Sequence, residues 1–217
     1  MVTREQLETA PYILGNYDGR LISAAGDTVF ARGFGDNGVP AASHYSVFRP
    51  GDPLTDPASG EILGYEAIYA GRAAVRTAGP PARLQLINSR REILRGDRLL
   101  PDTRDPLRPR YIPVVPEERV EGQIIALFDA ITQVGSNQVV VLNLGAGAGM
   151  EVGHVLGVEQ SGGTVRDPYA ESPDEQVELP PQRVGTLMIF RVFERVSYAL
   201  VLQAQQPVRL HDRVTNP

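Results

Sequence analysis

Apolar residues recur along the chain in short, β-branched runs: DTVFARGF, HYSVFRP, EAIYAGRAAV, RLQLIN, QVVVLNL, HVLGV, TLMIFRVF and SYALVLQ. Turn residues bound each run, which is the pattern of a β-rich protein of many short strands. The 22 Gly and 18 Pro are spread throughout and leave little room for long helices. One short helix is predicted at the start, where Thr3 and Gln6 have capping-box spacing before Leu7. The segment VEGQIIALFDAITQV reads both ways. Val120, Ile124, Leu127, Ile131 and Val134 fall at helical spacing, while Ile124, Ala126, Phe128 and Ala130 alternate as on a strand.

An internal repeat favours the strand. GYEAIYAGRAAV…ARLQLINSRREILRGDRLLP aligns with EGQIIALFDAITQVGSNQVVVLNLGAGAGMEVGHVLGV and with VGTLMIFRVFERVSYALVLQAQQPVRLHDRV. The units open on Gly64, Gly122 and Gly185 and close on ILRGDRL, MEVGHVL and VRLHDRV, with His211 where the others have Gly96 and Gly153. A fainter fourth copy precedes them, with AGDTVFARGF as a strand and VFRPGDPL as the ending. Under this alignment VEGQIIALFDA matches GTLMIFRVFER and is a strand. Gly at the sharp endings supplies φ > 0, and Asp there can bond the backbone nearby. Such units close into small barrels or sandwiches, which removes exposed sheet edges. The expected fold is mainly β: tandem small barrel- or sandwich-like subdomains built from strand–turn–strand units, with one short N-terminal helix.

The chain has 217 residues, enough for one large or two small domains. Five prolines (Pro101, Pro106, Pro109, Pro113 and Pro116) make PDTRDPLRPRYIPVVPEER an extended linker or surface strap. The expected division is a first subdomain over 1–105, a strap over 106–119 and a second subdomain over 120–217. The segment EQSGGTVRDPYAESPDEQVELPPQ is polar and acidic without apolar periodicity, and reads as a loop that is either mobile or ordered by a partner.

Charge and residue inventory narrow the chemistry. The net charge is −5, so no general attraction to nucleic acid or anionic lipid is expected. All 21 basic residues are Arg and none is Lys. With no Cys, disulfides, thiol catalysis and Cys-ligated zinc are excluded. No apolar run of about 18 residues is present, so no membrane insertion is expected. The opening MVTREQLETAPYIL has no apolar signal core, as is also expected of a start within a longer chain.

The stretch LNLGAGAGMEVGHVLGV could pass for a phosphate loop. A dinucleotide fingerprint needs G-x-G-x-x-G before a helix. Here Met150 stands where the third glycine belongs, and a Walker sequence cannot exist without Lys. The repeat makes the glycines a turn between strands. His44, His154 and His211 have unrelated spacing and suggest turn residues, not a metal site. Ser43 beside His44 lacks a nucleophile elbow. DPLTDPASGE lacks the alternate carboxylates of an EF-hand. Arg90, Arg91, Arg95 and Arg98 form a small basic cluster whose default is solvation. No enzyme, cofactor or metal is expected.

The segments REQLETAPYILGNYDGRLISAAGDTVFARG, HYSVFRPGDPL, GEILGYEAIYAGRAAV and INSRREILRGDRLLP resemble the region after the LysM domain in the TsaP family of type IV pilus secretin-associated proteins. The last third, from VVVLNLGAGAGMEVGHVLGV through RVGTLMIFRVFERVSYALVLQ to LHDRV, resembles the related C-terminal domain of the flagellar assembly protein FlgT. The resemblance implies a non-enzymatic periplasmic scaffold at the outer membrane whose partner is the secretin. It implies peptidoglycan binding only through a LysM domain, whose YVVKPGDTL-like opening is absent here. The acidic segment, with Asp167, Glu171, Asp174, Glu175 and Glu178, is the candidate partner-binding element. A stand-alone peptidoglycan- or carbohydrate-binding module is the alternative; the absence of Trp and only 6 % aromatics leave few sugar-stacking platforms. For a nucleotide- or methyl-donor-dependent enzyme, a helix after Gly149 would speak for that reading and a strand against it.

Overall fold

The computed structural model describes residues 1–35, 39–102, 111–128, 130, 132–167, 169 and 176–217. The chain is mainly β with one short helix, α1 (Arg4–Thr9). It divides into two compact units, 1–54 with 64–108 and 55–63 with 109–217. The helix is closed by the expected box: the Gln6 N–H donates to Thr3 Oγ1 and the Thr3 N–H to Gln6 Oε1, both at 3.1 Å. It stops at Ala10, because Pro11 forces the residue before it into extended backbone. Among the described residues no helix is long and apolar enough to cross a membrane.

The strands of the first unit are β1 (Tyr12–Asn16), β2 (Ile22–Ser23), β3 (Thr28–Arg32), β4 (His44–Thr55), β5 (Ile62–Thr77), β6 (Ala82–Ser89), β7 (Ile93–Leu94) and β8 (Arg98–Pro101). Six of them close a barrel in the order β1-β3-β6-β5-β4-β8. Alternation sets the inner face. On β6, Ala82, Leu84 and Leu86 are buried while Arg83 and Ile87 face outward. With Ile13, Val29, Ala31, Val47, Ala73 and Leu99 they fill the barrel with side chains.

The second unit contains β9 (Glu121–Leu127), β10 (Gln133–Val134), β11 (Val139–Leu142), β12 (Val155–Gln160), β13 (Thr164–Arg166), β14 (Gln176–Glu178), β15 (Gln182–Val192), β16 (Ser197–Ala204), β17 (Val208–Arg209) and β18 (Arg213–Thr215). Of the ambiguous 120–134 segment, Glu121–Leu127 and Gln133–Val134 are strand and no described residue is helical; residues 129 and 131 lie outside the described residues. Its barrel closes as β11-β16-β15-β12-β18-β9 around Ile124, Val140, Leu156, Leu187, Ala199 and Val214. Before β9, Val114 of the proline-rich segment bonds the start of β12: its N–H donates to Gly153 O at 3.0 Å and its carbonyl accepts from Val155 N at 2.8 Å. Residues 103–110 of that segment lie outside the described residues.

The two barrels share one topology. Replacing β1, β3, β4, β5, β6 and β8 by β9, β11, β12, β15, β16 and β18 converts one strand order into the other. The repeat is therefore the whole barrel, which corrects the three-unit alignment. The Gly64 and Gly185 units are equivalent, since both run through the fourth and fifth barrel-forming positions to the closing strand. The Gly122 unit instead opens its barrel and matches β1 through β4. VFRPGDPL is not an ending either, because β4 runs unbroken through Gly51. The earlier copy of the Gly-Asp turn is Ala24–Asp27.

Among the described residues that turn occurs five times with one hydrogen-bond plan, at Ala24–Asp27, Leu94–Asp97, Gly135–Gln138, Glu151–His154 and Arg209–Asp212. In each, the first residue's N–H donates to the fourth residue's side chain, at 2.7 to 3.2 Å. The third residue has positive φ: Gly26 91°, Gly96 86°, Asn137 66°, Gly153 100° and His211 69°. In the first barrel, Arg49 of β4 also clamps buried Asp97, with Nε 3.0 Å from Oδ1 and Nη2 3.2 Å from Oδ2. In the second, Gln160 of β12 reaches Asp212 Oδ2 at 2.7 Å.

Candidate interaction site

Between its β4-type and β5-type strands, each barrel sends out an arm. The first arm, Thr55–Leu63, belongs to the second compact unit. Its tip is a turn built on Asp56. Asp56 N donates to Glu61 O at 2.9 Å, Gly60 N to Asp56 O at 2.8 Å, and Ser59 Oγ to Asp56 Oδ2 at 2.8 Å. Gly60 at φ 73° completes it. The other Asp56 oxygen, Oδ1, accepts from Asn143 Nδ2 at 3.0 Å. Glu61 meets Arg195 through two parallel bonds of 2.5 and 2.7 Å.

Those contacts set the protonation states of the arm. The Asn143 amide, then the Ser59 hydroxyl, hold the Asp56 carboxyl below the ordinary range. Arg195 does the same for Glu61, and Glu61 in turn raises the Arg195 guanidinium. In the sequence DPLTDPASGE shows only that it is no EF-hand, and nothing marks Glu61, Asn143 or Arg195. None has a local pattern; the pairing of β11 with β16 brings 143 and 195 near each other, and the first arm carries 56 and 61 to them.

The second arm lies in the acidic segment expected to be a loop, of which Thr164–Arg166 and Gln176–Glu178 are strands. β13 and β14 pair as an antiparallel ribbon with Thr164 opposite Glu178, Val165 opposite Val177 and Arg166 opposite Gln176. Gly163, at φ 72°, lets its carbonyl accept from Leu179 N at 2.9 Å. Gly162 passes so close to Leu179 that a Cβ there would lie 2.5 Å from the Leu179 Cβ. Beyond β13, Asp167 Oδ1 accepts from Tyr169 N at 2.9 Å. Tyr169 is 94 % exposed, and Val165 and Val177 are 44 % and 42 % exposed. Of the candidate acids, Asp167 is half-buried after β13 and Glu178 is exposed on β14. Glu171, Asp174 and Glu175 lie outside the described residues. At the arm's root, Glu178 and Leu179 face Arg209, His211 and Arg213 across an open cleft of about 410 Å³.

The glycine stretch has a different use. After β11 the chain makes a 3₁₀ turn, Ala146–Ala148, and then enters β12; no crossover helix follows. Ala146 N donates to Phe193 O at 2.8 Å and Gly147 N to Glu194 O at 2.9 Å. Ala148 N and Met150 N both donate to Gly145 O, at 3.0 and 3.1 Å, and Gly149 N donates to Ala146 O at 2.9 Å. The amides that would cradle a phosphate are thus engaged by carbonyls of this chain. Gly145 is required because a Cβ would run into the Glu194 carbonyl.

The other sequence candidates are scattered. Ser43 Oγ lies 3.0 Å from His44 Nδ1 on an exposed strand start. His154 Nδ1 and the His211 backbone serve their turns. Arg95 donates to Gly19 O at 3.2 Å, and Arg98 donates to Ala10 O at 3.1 Å while lying over the Tyr12 ring. Among the described residues no three His, Asp or Glu gather as a metal site. No protein-family model matches the chain, and the comparison with curated proteins gives no match.

Proposed function

We propose that the chain is a non-enzymatic scaffold that associates with the outer-membrane secretin of the type IV pilus machine, as its resemblance to the TsaP and FlgT-type domains implies. The observation that carries most weight is the β13–β14 arm. It is an exposed ribbon with Glu178 at its root, Asp167 beyond its outer pair and an uncovered Val165–Val177 pair. Ribbons of this kind suit recognition by a protein surface. On this reading the setting is periplasmic, and peptidoglycan attachment belongs to the family's LysM domain, which has no counterpart among these residues.

The test is capture of the purified secretin by the intact chain and by a variant lacking residues 161–179. The deletion should leave the melting temperature nearly unchanged and weaken capture, with the intact chain's binding falling as salt rises. Absence of capture by the intact chain at low salt would remove the proposal. Undiminished capture by the deletion variant would remove the arm from it.

A further inference from the structure

We infer that the β13–β14 arm docks on the first barrel of a second copy of this chain, at the end marked by Arg32 and Arg83. The inference is independent of the secretin reading and starts from the equivalence of the two barrels. The first arm already shows what such an arm does: its acids Asp56 and Glu61 are received by Asn143, one residue beyond β11, and by Arg195, in the turn between β15 and β16.

Strand register identifies the corresponding place on the first barrel. The pair Leu142–Ser197 of β11 and β16 matches the pair Ala31–Ala82 of β3 and β6, because Val139 and Thr28 each follow a recurring turn and pair with Leu200 and Gln85. The residue one beyond Leu142 is Asn143; the residue one beyond Ala31 is Arg32. Arg83, next to Ala82 on β6, is exposed, as is Arg32. The position that receives a carboxylate in one barrel is thus an arginine in the other.

Charge points the same way. The first unit has 13 Arg against 11 Asp and Glu, a net of +2, and the second has 8 against 15, a net of −7. Opposite charge on the two halves favours head-to-tail contact over a symmetric pairing of like halves. Glu178 at the root of the second arm and Asp167 just beyond its outer pair supply acids to meet Arg32 and Arg83, and the Val165–Val177 pair with Tyr169 supplies apolar surface to cover. A contact between unlike surfaces leaves one arm and one barrel end open in every pair, so it builds rings or filaments.

Analytical ultracentrifugation of the intact chain, without any other protein, tests this. The mass should rise with concentration at low salt and return to the monomer at high salt. Arg32→Ala and Glu178→Ala should each weaken association by about tenfold or more. The two variants mixed should form a one-to-one dimer and nothing longer, because one supplies an intact arm and the other an intact barrel end. A monomer at every concentration in low salt overturns the proposal. So does association that neither variant affects, or a mixture that fails to dimerise. Secretin capture is measured separately, so loss of one reading leaves the other to stand or fall on its own data.

Discussion

Gly96 and His211 occupy the same corner of their barrels, at φ 86° and 69°, followed by Asp97 and Asp212 in the same role. A Cβ at Gly96 would meet nothing within 4 Å, so only backbone strain opposes a side chain there. At Gly153 a Cβ would also strike the Ile112 carbonyl. Gly96→Ala should therefore cost about 1–2 kcal/mol, and Gly153→Ala more. His211→Gly relieves strain at the cost of a looser unfolded chain, and should be neutral or stabilising by up to about 1 kcal/mol. Urea unfolding of the three variants checks the ranking; a His211→Gly loss as large as that of Gly96→Ala would show that the side chain, not the turn, matters there. The turns were partly legible. Gly-Asp spelled out two of them, and the shared ending placed His211 and Gly153. Gln138 and His154 as acceptors were not, since neither residue type announces a role that Asp normally fills.

At the scale of elements, all eight apolar runs are strands, because alternation or a β-branched run marks a wall of a barrel. The arms were not legible. On β13 and β14 one valine each stands among polar residues, too few to show a period, and the first arm reads as a continuation of two ordinary strands. The first arm's acids give it a dependence on pH. Asp56 and Glu61 are both held below the ordinary carboxylate range in the folded protein, by Asn143 and by Arg195 respectively. A depressed carboxyl contributes stability above its unfolded value and loses it as pH falls through the folded one. Glu61→Gln should lower the melting temperature at neutral pH, and the difference from wild type should shrink as pH falls below the ordinary carboxylate range. The Glu61–Arg195 pair is exposed, so high salt should shrink the difference too. A difference that is constant with pH would assign the effect to packing of the Glu61 stem.

For the whole molecule, the repeat was visible but its period was misread. Endings with a positive-φ residue occur at five turns, so aligning endings gives several half-barrel registers, and only the closing pairs β1–β8 and β9–β18, which join distant residues, choose among them. What the duplication produces is two cores. The buried cluster around Leu84 and that around Leu187 share no residue. Each has its own closed wall of six strands, so each should unfold as its own cooperative unit. Leu84 and Leu187 are both fully buried, and truncating either to Ala should cost about 2–5 kcal/mol in its own barrel. In a unit of about 100 residues, each kcal/mol lowers the midpoint by roughly 4–8 °C. Native-state hydrogen exchange should show Leu84→Ala weakening protection on β3 and β6 while β11 and β16 keep theirs, and Leu187→Ala the reverse. If either substitution lowered protection equally in both barrels, the two cores would be one cooperative unit, and the barrel would cease to be the unit of stability as well as of repetition.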